Sequence, residues 1–229
     1  MSVIRVMVGR VTPALAARQV AAISRGMKAL RTILAALAVA PGALAAQEGA
    51  VLSEWRGNEV PLARVVWSEE TADGILELRD YAPFLRAEVR VRGGRSGAAS
   101  EGFRRVAGYI FGGNAGGTRI AMTSPVAQAP EGDGTWTVAF AMPRAFALED
   151  LPAPDDPAVR LVRDPGGRRL SLGFASRWDA DGLERRSDAL LAAARARGLT
   201  PEGTPEYLFY DGPMTPSFRR RNEVSVPVR

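Results

Sequence analysis

Two segments with helical periodicity stand among strand-like runs, one after three strands and one after five more, and this order constrains the fold most. The runs are Ala63 to Ser68, Gly74 to Asp80, Phe84 to Arg92, Arg119 to Met122, Val126 to Ala129, Thr135 to Met142, Val159 to Arg163 and Arg168 to Phe174. Tyr207 to Tyr210 and Glu223 to Val228 follow the second helix. Within the third run, Phe84, Arg86, Glu88, Arg90 and Arg92 alternate with Leu85, Ala87, Val89 and Val91, the period-two pattern of a half-buried strand. The first helix is predicted over Gly97 to Phe111. Phe103, Val106, Ala107, Ile110 and Phe111 share one face of it, Arg104 and Arg105 flank that face, and Gly112-Gly113-Asn114 ends it. The second is predicted over Asp181 to Arg197. Asp181 and Glu184 there have capping-box spacing, and Gly198 and Pro201 act as stops. The pattern predicts an α+β fold, a mostly antiparallel sheet with two helices packed on it. No linker splits residues 63–229, so one domain is expected, with 47–62 as a polar lead-in.

Composition narrows the chemistry. The chain has no histidine and no cysteine, and Lys28 is its only lysine. Ser-His-Asp and Cys-His nucleophile pairs, Schiff-base lysines and Cys/His zinc sites are therefore excluded. Carboxylates are the remaining acid/base groups. Glu69, Glu70, Glu77 and Glu101 are scattered, and the sequence pairs none of them, so a binding protein is favoured over an enzyme.

The first 46 residues differ from the rest. Arg5, Arg10, Arg18, Arg25, Lys28 and Arg31 occur there without a single Asp or Glu. From Met27, a possible true start, the segment reads as a secretory signal. Lys28 and Arg31 precede the apolar run Thr32 to Ala40, Pro41-Gly42 breaks it, and Ala43-Leu44-Ala45 has the small-x-small pattern of a cleavage site. The apolar run falls short of the roughly 20 residues that span a bilayer, so no stable anchor is expected after cleavage. Without the six leader cations the chain's net +5 becomes −1. Nucleic acid is accordingly not an expected partner. A periplasmic or secreted monomer is expected, stabilised by its core without disulfides.

Several motifs fail on chemistry. Gly112 to Thr118 is glycine-rich but follows a helix and lacks Lys, the reverse of a phosphate loop. Ser124 has no His or Lys to activate it as a nucleophile. Asp155-Asp156 lies among prolines and lacks the spacing of a calcium loop.

Seven blocks in order resemble the SOUL heme-binding protein family. They are Glu77-Leu-Arg-Asp-Tyr81, Glu101 to Asn114, Ile120 to Val126, Phe140-Ala-Met-Pro143, Leu151-Pro-Ala-Pro154, Tyr210-Asp-Gly-Pro-Met214 and Arg220-Arg-Asn-Glu-Val224. The resemblance implies a distorted antiparallel β-barrel of two similar halves with two long helices. It also implies binding of heme or another tetrapyrrole in a shallow apolar pocket beside the first helix. By position, Phe103, Val106, Ala107 and Ile110 would line that pocket. Arg104 or Arg105 would meet the propionates, and Tyr210 and Met214 would cover it from a loop. With no histidine, only Met or Tyr could ligate iron. The expected function is that of an exported tetrapyrrole carrier or buffer. The alternative is a small-molecule binding or interaction module on the same fold that does not bind heme.

Overall fold

A computed structural model of the chain describes residues 48–175 and 179–229. The leader, and with it the expected signal peptide, lies outside the described residues. Ten strands are formed: β1 Val51–Trp55, β2 Asn58–Thr71, β3 Gly74–Tyr81, β4 Phe84–Arg92, β5 Val126–Gly132, β6 Thr135–Ala141, β7 Arg160–Asp164, β8 Gly167–Phe174, β9 Glu206–Phe209 and β10 Asn222–Pro227. Helix α1 spans Arg95–Ile110 and α2 spans Ala180–Ala196. None of the described helices is long and apolar enough to cross a membrane.

All ten strands join one curled sheet in the order β1-β2-β3-β8-β10-β9-β5-β6-β4-β7, every ladder antiparallel. The expected α+β class and antiparallel sheet with two helices are what the chain forms. The order contains a duplication. Exchanging β3, β4, β5 and β6 with β7, β8, β9 and β10 reverses the run from β3 to β7 onto itself, about an axis between β5 and β9. In each half a strand leads into a helix, which is followed by a hairpin, and the second strand of that hairpin pairs back with the first strand. β1 and β2 lie outside the repeat.

Side-chain alternation gives the sheet two faces. Leu85, Ala87 and Val89 of β4 and Val138 and Phe140 of β6 pack with Val106, Ala107, Tyr109 and Ile110 of α1. Leu170, Leu172, Val224 and Val226 pack with Leu183, Leu190 and Ala194 of α2. The intervening residues, among them Arg86, Ala139, Arg169 and Ser225, point into the concave side.

Three expectations differ from the structure. Residues 51–62 are not a lead-in but form β1 and the first part of β2. Arg119 to Met122 is not a strand. Asn114 folds the glycine loop back, its amide donating to the carbonyls of Tyr109 (2.7 Å) and Thr118 (2.8 Å), so that Ile120 returns against the end of α1. The cap of α2 is Asp179, whose carboxylate accepts the Gly182 N–H at 2.6 Å, and Asp181 sits in the first turn, where its charge suits the helix dipole.

Candidate functional site

The concave side holds a narrow cleft lined by residues of β1 to β6 and β8 to β10, with an enclosed volume of about 40 Å³. Its walls are apolar: Leu52, Val60, Phe84, Ala127, Ala139 and Leu208. The β1–β2 hairpin folds over it. Glu59 fixes that hairpin, its carbonyl accepting the Ser124 N–H (2.9 Å) and its carboxylate the Arg144 N–H (2.6 Å). The Arg144 guanidinium donates in turn to the carbonyls of Ser53 (3.3 Å) and Val60 (3.2 Å). At the mouth, Arg221 stacks 4.9 Å from the Trp55 ring and 4.6 Å from the Tyr210 ring, and Arg56 lies 5.4 Å from Trp55. Arg56 is also paired with Asp211 at 3.3 Å.

Two ion-pair clusters form the polar part of the interior. In the first, Arg79 grips Glu223 with two hydrogen bonds of 2.7 and 2.9 Å and also pairs with Glu77. Tyr210 donates its hydroxyl to Glu223 (2.9 Å), and Arg221 donates to the same carboxylate (2.8 Å). In the second, Arg169 pairs with Asp164 (2.8 Å) and with Glu206, and Arg86 approaches the same two carboxylates at 3.2 and 3.5 Å. Arg86 and Arg169 occupy equivalent strands of the two halves, β4 and β8.

Burial pushes the Glu223 carboxyl up, but Arg79 and Arg221 outweigh it and hold the group well below the usual carboxylate range. Burial, with Glu223 adding to it, raises the Tyr210 phenol well above its ordinary value. The stability that Glu223 contributes is full above its unfolded value near 4.5 and is lost as pH falls from there toward its folded value. Thermal unfolding followed from pH 7 to pH 2 will show the midpoint falling progressively below about pH 4.5. Glu223→Gln will flatten that acid slope, and an unchanged slope would assign the acid loss to other groups.

The residues that the family resemblance implies for the pocket are not brought together. Val106, Ala107 and Ile110 are 0, 7 and 1% exposed in the core between α1 and the sheet, on the other face from the cleft. α1 approaches β6 closely there, with Gly102 packed directly on Val138. Phe103 is exposed and its ring is tilted against Phe140, with ring centroids 5.3 Å apart. Arg104 pairs with Glu101 on the same helix, and Arg105 grips Asp156 with two bonds of 2.7 and 2.8 Å. Tyr210 lines the cleft on the opposite face of the sheet, and Met214 projects, 93% exposed, from the β9–β10 connection. Sequence reasoning missed Trp55, Phe84, Arg86, Arg169, Glu206 and Leu208. The available signal was the polar half of each alternating strand, which faces an interior cleft.

The protein is thus a curled, duplicated antiparallel sheet with an apolar cleft on one face and two helices on the other. The model of the SOUL heme-binding protein family matches residues 64–227, and the chain belongs to that family. The family supports heme or tetrapyrrole binding in general and is generally a binding rather than a catalytic family. No curated protein matches the chain significantly. Among solved structures, the EcmrR C-terminal domain is similar at a TM-score of 0.51 and 12% identity, covering 67% of this chain and 96% of that one. EcmrR in its complex with DNA gives a TM-score of 0.53 at 12% identity, covering 67% and 57%. A hydrolase from Listeria innocua gives 0.48 at 13% identity, covering 67% and 91%. For the two EcmrR structures, at 12% identity, the likeness is one of fold.

Proposed function

We propose that the protein is an exported, monomeric tetrapyrrole-binding protein, a carrier or buffer, which holds its ligand at the cleft mouth without histidine ligation of iron. Family membership over residues 64–227 carries the reading. The cleft offers the group apolar contact, with Trp55, Leu52, Phe84 and Tyr210 presenting flat and aliphatic surface, while Arg56 and Arg221 at its edge are paired with Asp211 and Glu223. Bound there, the tetrapyrrole would supply a planar apolar body with an anionic edge. The iron is not served. The chain has no His or Cys, and the Tyr210 hydroxyl is committed to Glu223 and held protonated. Met214 remains as the only thioether on the covering loop. The basic, apolar leader from Met27 to Ala45 supports export.

Titration with hemin and with iron-free protoporphyrin will give similar affinities, because binding does not use the metal. Trp55→Ala will weaken both on the order of tenfold, the scale of one lost aromatic contact. Phe103→Ala will leave both unchanged. A loss confined to Phe103→Ala would move the site to the outer face of α1, and binding of neither ligand would refute the reading.

A further inference from the structure

The cleft is closed by a segment outside the repeat. β2 joins its ladder with β3 only from Ala63 onward, where Ala63 faces Tyr81, the last residue of β3. Residues 53–61 lie past that point and overhang the concave face, Glu54 opposite Glu59 and Trp55 opposite Asn58. This tip fills space that small side chains leave. Val60 packs into one cluster with Ala127, Ala139, Leu208 and Tyr210, and Leu52 and Trp55 pack against the same cluster. With the tip in place the enclosed space is about 40 Å³, well under the roughly 300 Å³ from which small-molecule sites run. The ties that hold the tip down sit at the rim. Glu59 pairs with Arg144 at 3.2 Å and Arg56 with Asp211 at 3.3 Å, each pair with at least one partly exposed partner. Such pairs contribute little to stability. The main chain adds a short parallel bridge between Glu59 and Thr123, where the Ser124 N–H donates to the Glu59 carbonyl at 2.9 Å. A segment tied this lightly opens at a lower free energy than the central strands beneath it.

We propose that the tip of the β1–β2 hairpin, residues 53–61, is a lid that regulates the cleft. Closed, it plugs the cleft with Val60. An apolar ligand enters when the tip lifts, takes the place of Val60 and is covered by Trp55. The inference rests on the cleft being the ligand site, as read above, and sets the affinity of that site: apparent binding is the intrinsic binding reduced by the fraction of molecules that are open.

Amide exchange of the full chain, followed by NMR, tests the opening without any ligand. Ser124 is the reporter, because its N–H is freed from the Glu59 carbonyl when the tip lifts. It will exchange on the order of a hundredfold faster than Leu172 and Val224 in the central strands β8 and β10, with little dependence on urea. Glu59→Ala unties Arg144 but keeps that carbonyl. It will speed Ser124 exchange on the order of tenfold, the scale of one hydrogen bond to a charged group, and will speed protoporphyrin association by the same factor. Glu59→Cys combined with Thr123→Cys places two thiols at the bridge in a chain with no other cysteine. Oxidised, this variant will bind protoporphyrin on the order of tenfold more weakly than when reduced. Ser124 exchanging no faster than Leu172 and Val224 would overturn the lid, as would equal binding by the oxidised and reduced forms. Absence of protoporphyrin binding in every form would instead refute the tetrapyrrole reading, and Ser124 exchange would then decide the lid by itself.

Discussion

Arg79→Met will be among the most destabilising single substitutions in this chain. Arg79 is 1% exposed and holds two buried carboxylates, Glu77 and Glu223. Burial opposes its charge, yet Glu223, with Tyr81 and Tyr210, outweighs burial and holds the guanidinium firmly protonated. Methionine matches much of the aliphatic stem but leaves both carboxylates without their central cation. Removing one partner of a buried ion pair costs about 3–5 kcal/mol, because the other charge stays desolvated. For a domain of this size that corresponds to a drop in Tm of about 6–20 °C. Arg64→Met is the control. Arg64 pairs with Asp80 at 3.2 Å on the surface, its side chain 65% exposed, and solvent screening leaves such a pair little to lose. Urea unfolding of both variants at pH 7 checks the contrast. Equal midpoints would mean that the buried network contributes nothing specific to stability.

That network explains what the sequence disclosed and what it did not. The blocks that carry the family resemblance, Glu77-Leu-Arg-Asp-Tyr81, Tyr210 to Met214 and Arg220 to Val224, meet in space around Glu223. Charged residues in alternating strands are ordinarily read as a solvated face. Here the sheet curls, and that face becomes the interior, so Glu77, Arg79, Ser171, Glu223 and Ser225 are all buried. Curling depends on long-range pairing such as β3 with β8 and β5 with β9, which no local period encodes. The helices were legible because their apolar stripes and stop signals are local. The apolar stripe of α1 was legible as a stripe, but whether it faced sheet or ligand was not a property of the stripe. Val106, Ala107 and Ile110 face the sheet. Equally, residues 51–62 have little apolar alternation, and they become strands because the exposed edge of β2 recruits β1 and because Glu59 and Arg144 pin the hairpin across the cleft.

The two glycines of α1 that differ most in surroundings will respond to alanine with opposite signs. Gly102 is buried, and a Cβ there would stand 2.5 Å from Val138 Cγ2 and 2.6 Å from Val138 Cβ, distances that force the helix off the sheet. Alanine would gain about 1 kcal/mol of helix propensity, but overpacking of this kind costs about 1–3 kcal/mol, and a contact this short lies at the upper end. Gly102→Ala is therefore expected to destabilise. Gly108 lies six residues on, about 240° around the helix, and a Cβ there meets nothing within 4 Å. Gly108→Ala keeps the propensity gain and is expected to stabilise by about 0.5–1 kcal/mol. Val138→Ala in the Gly102→Ala background will recover part of the loss, since it removes the two Cγ atoms but not the Cβ. Urea midpoints for the three variants decide it. Alanine stabilising at both glycines would mean that α1 stands away from β6, and would reopen the inner face of that helix as a ligand surface.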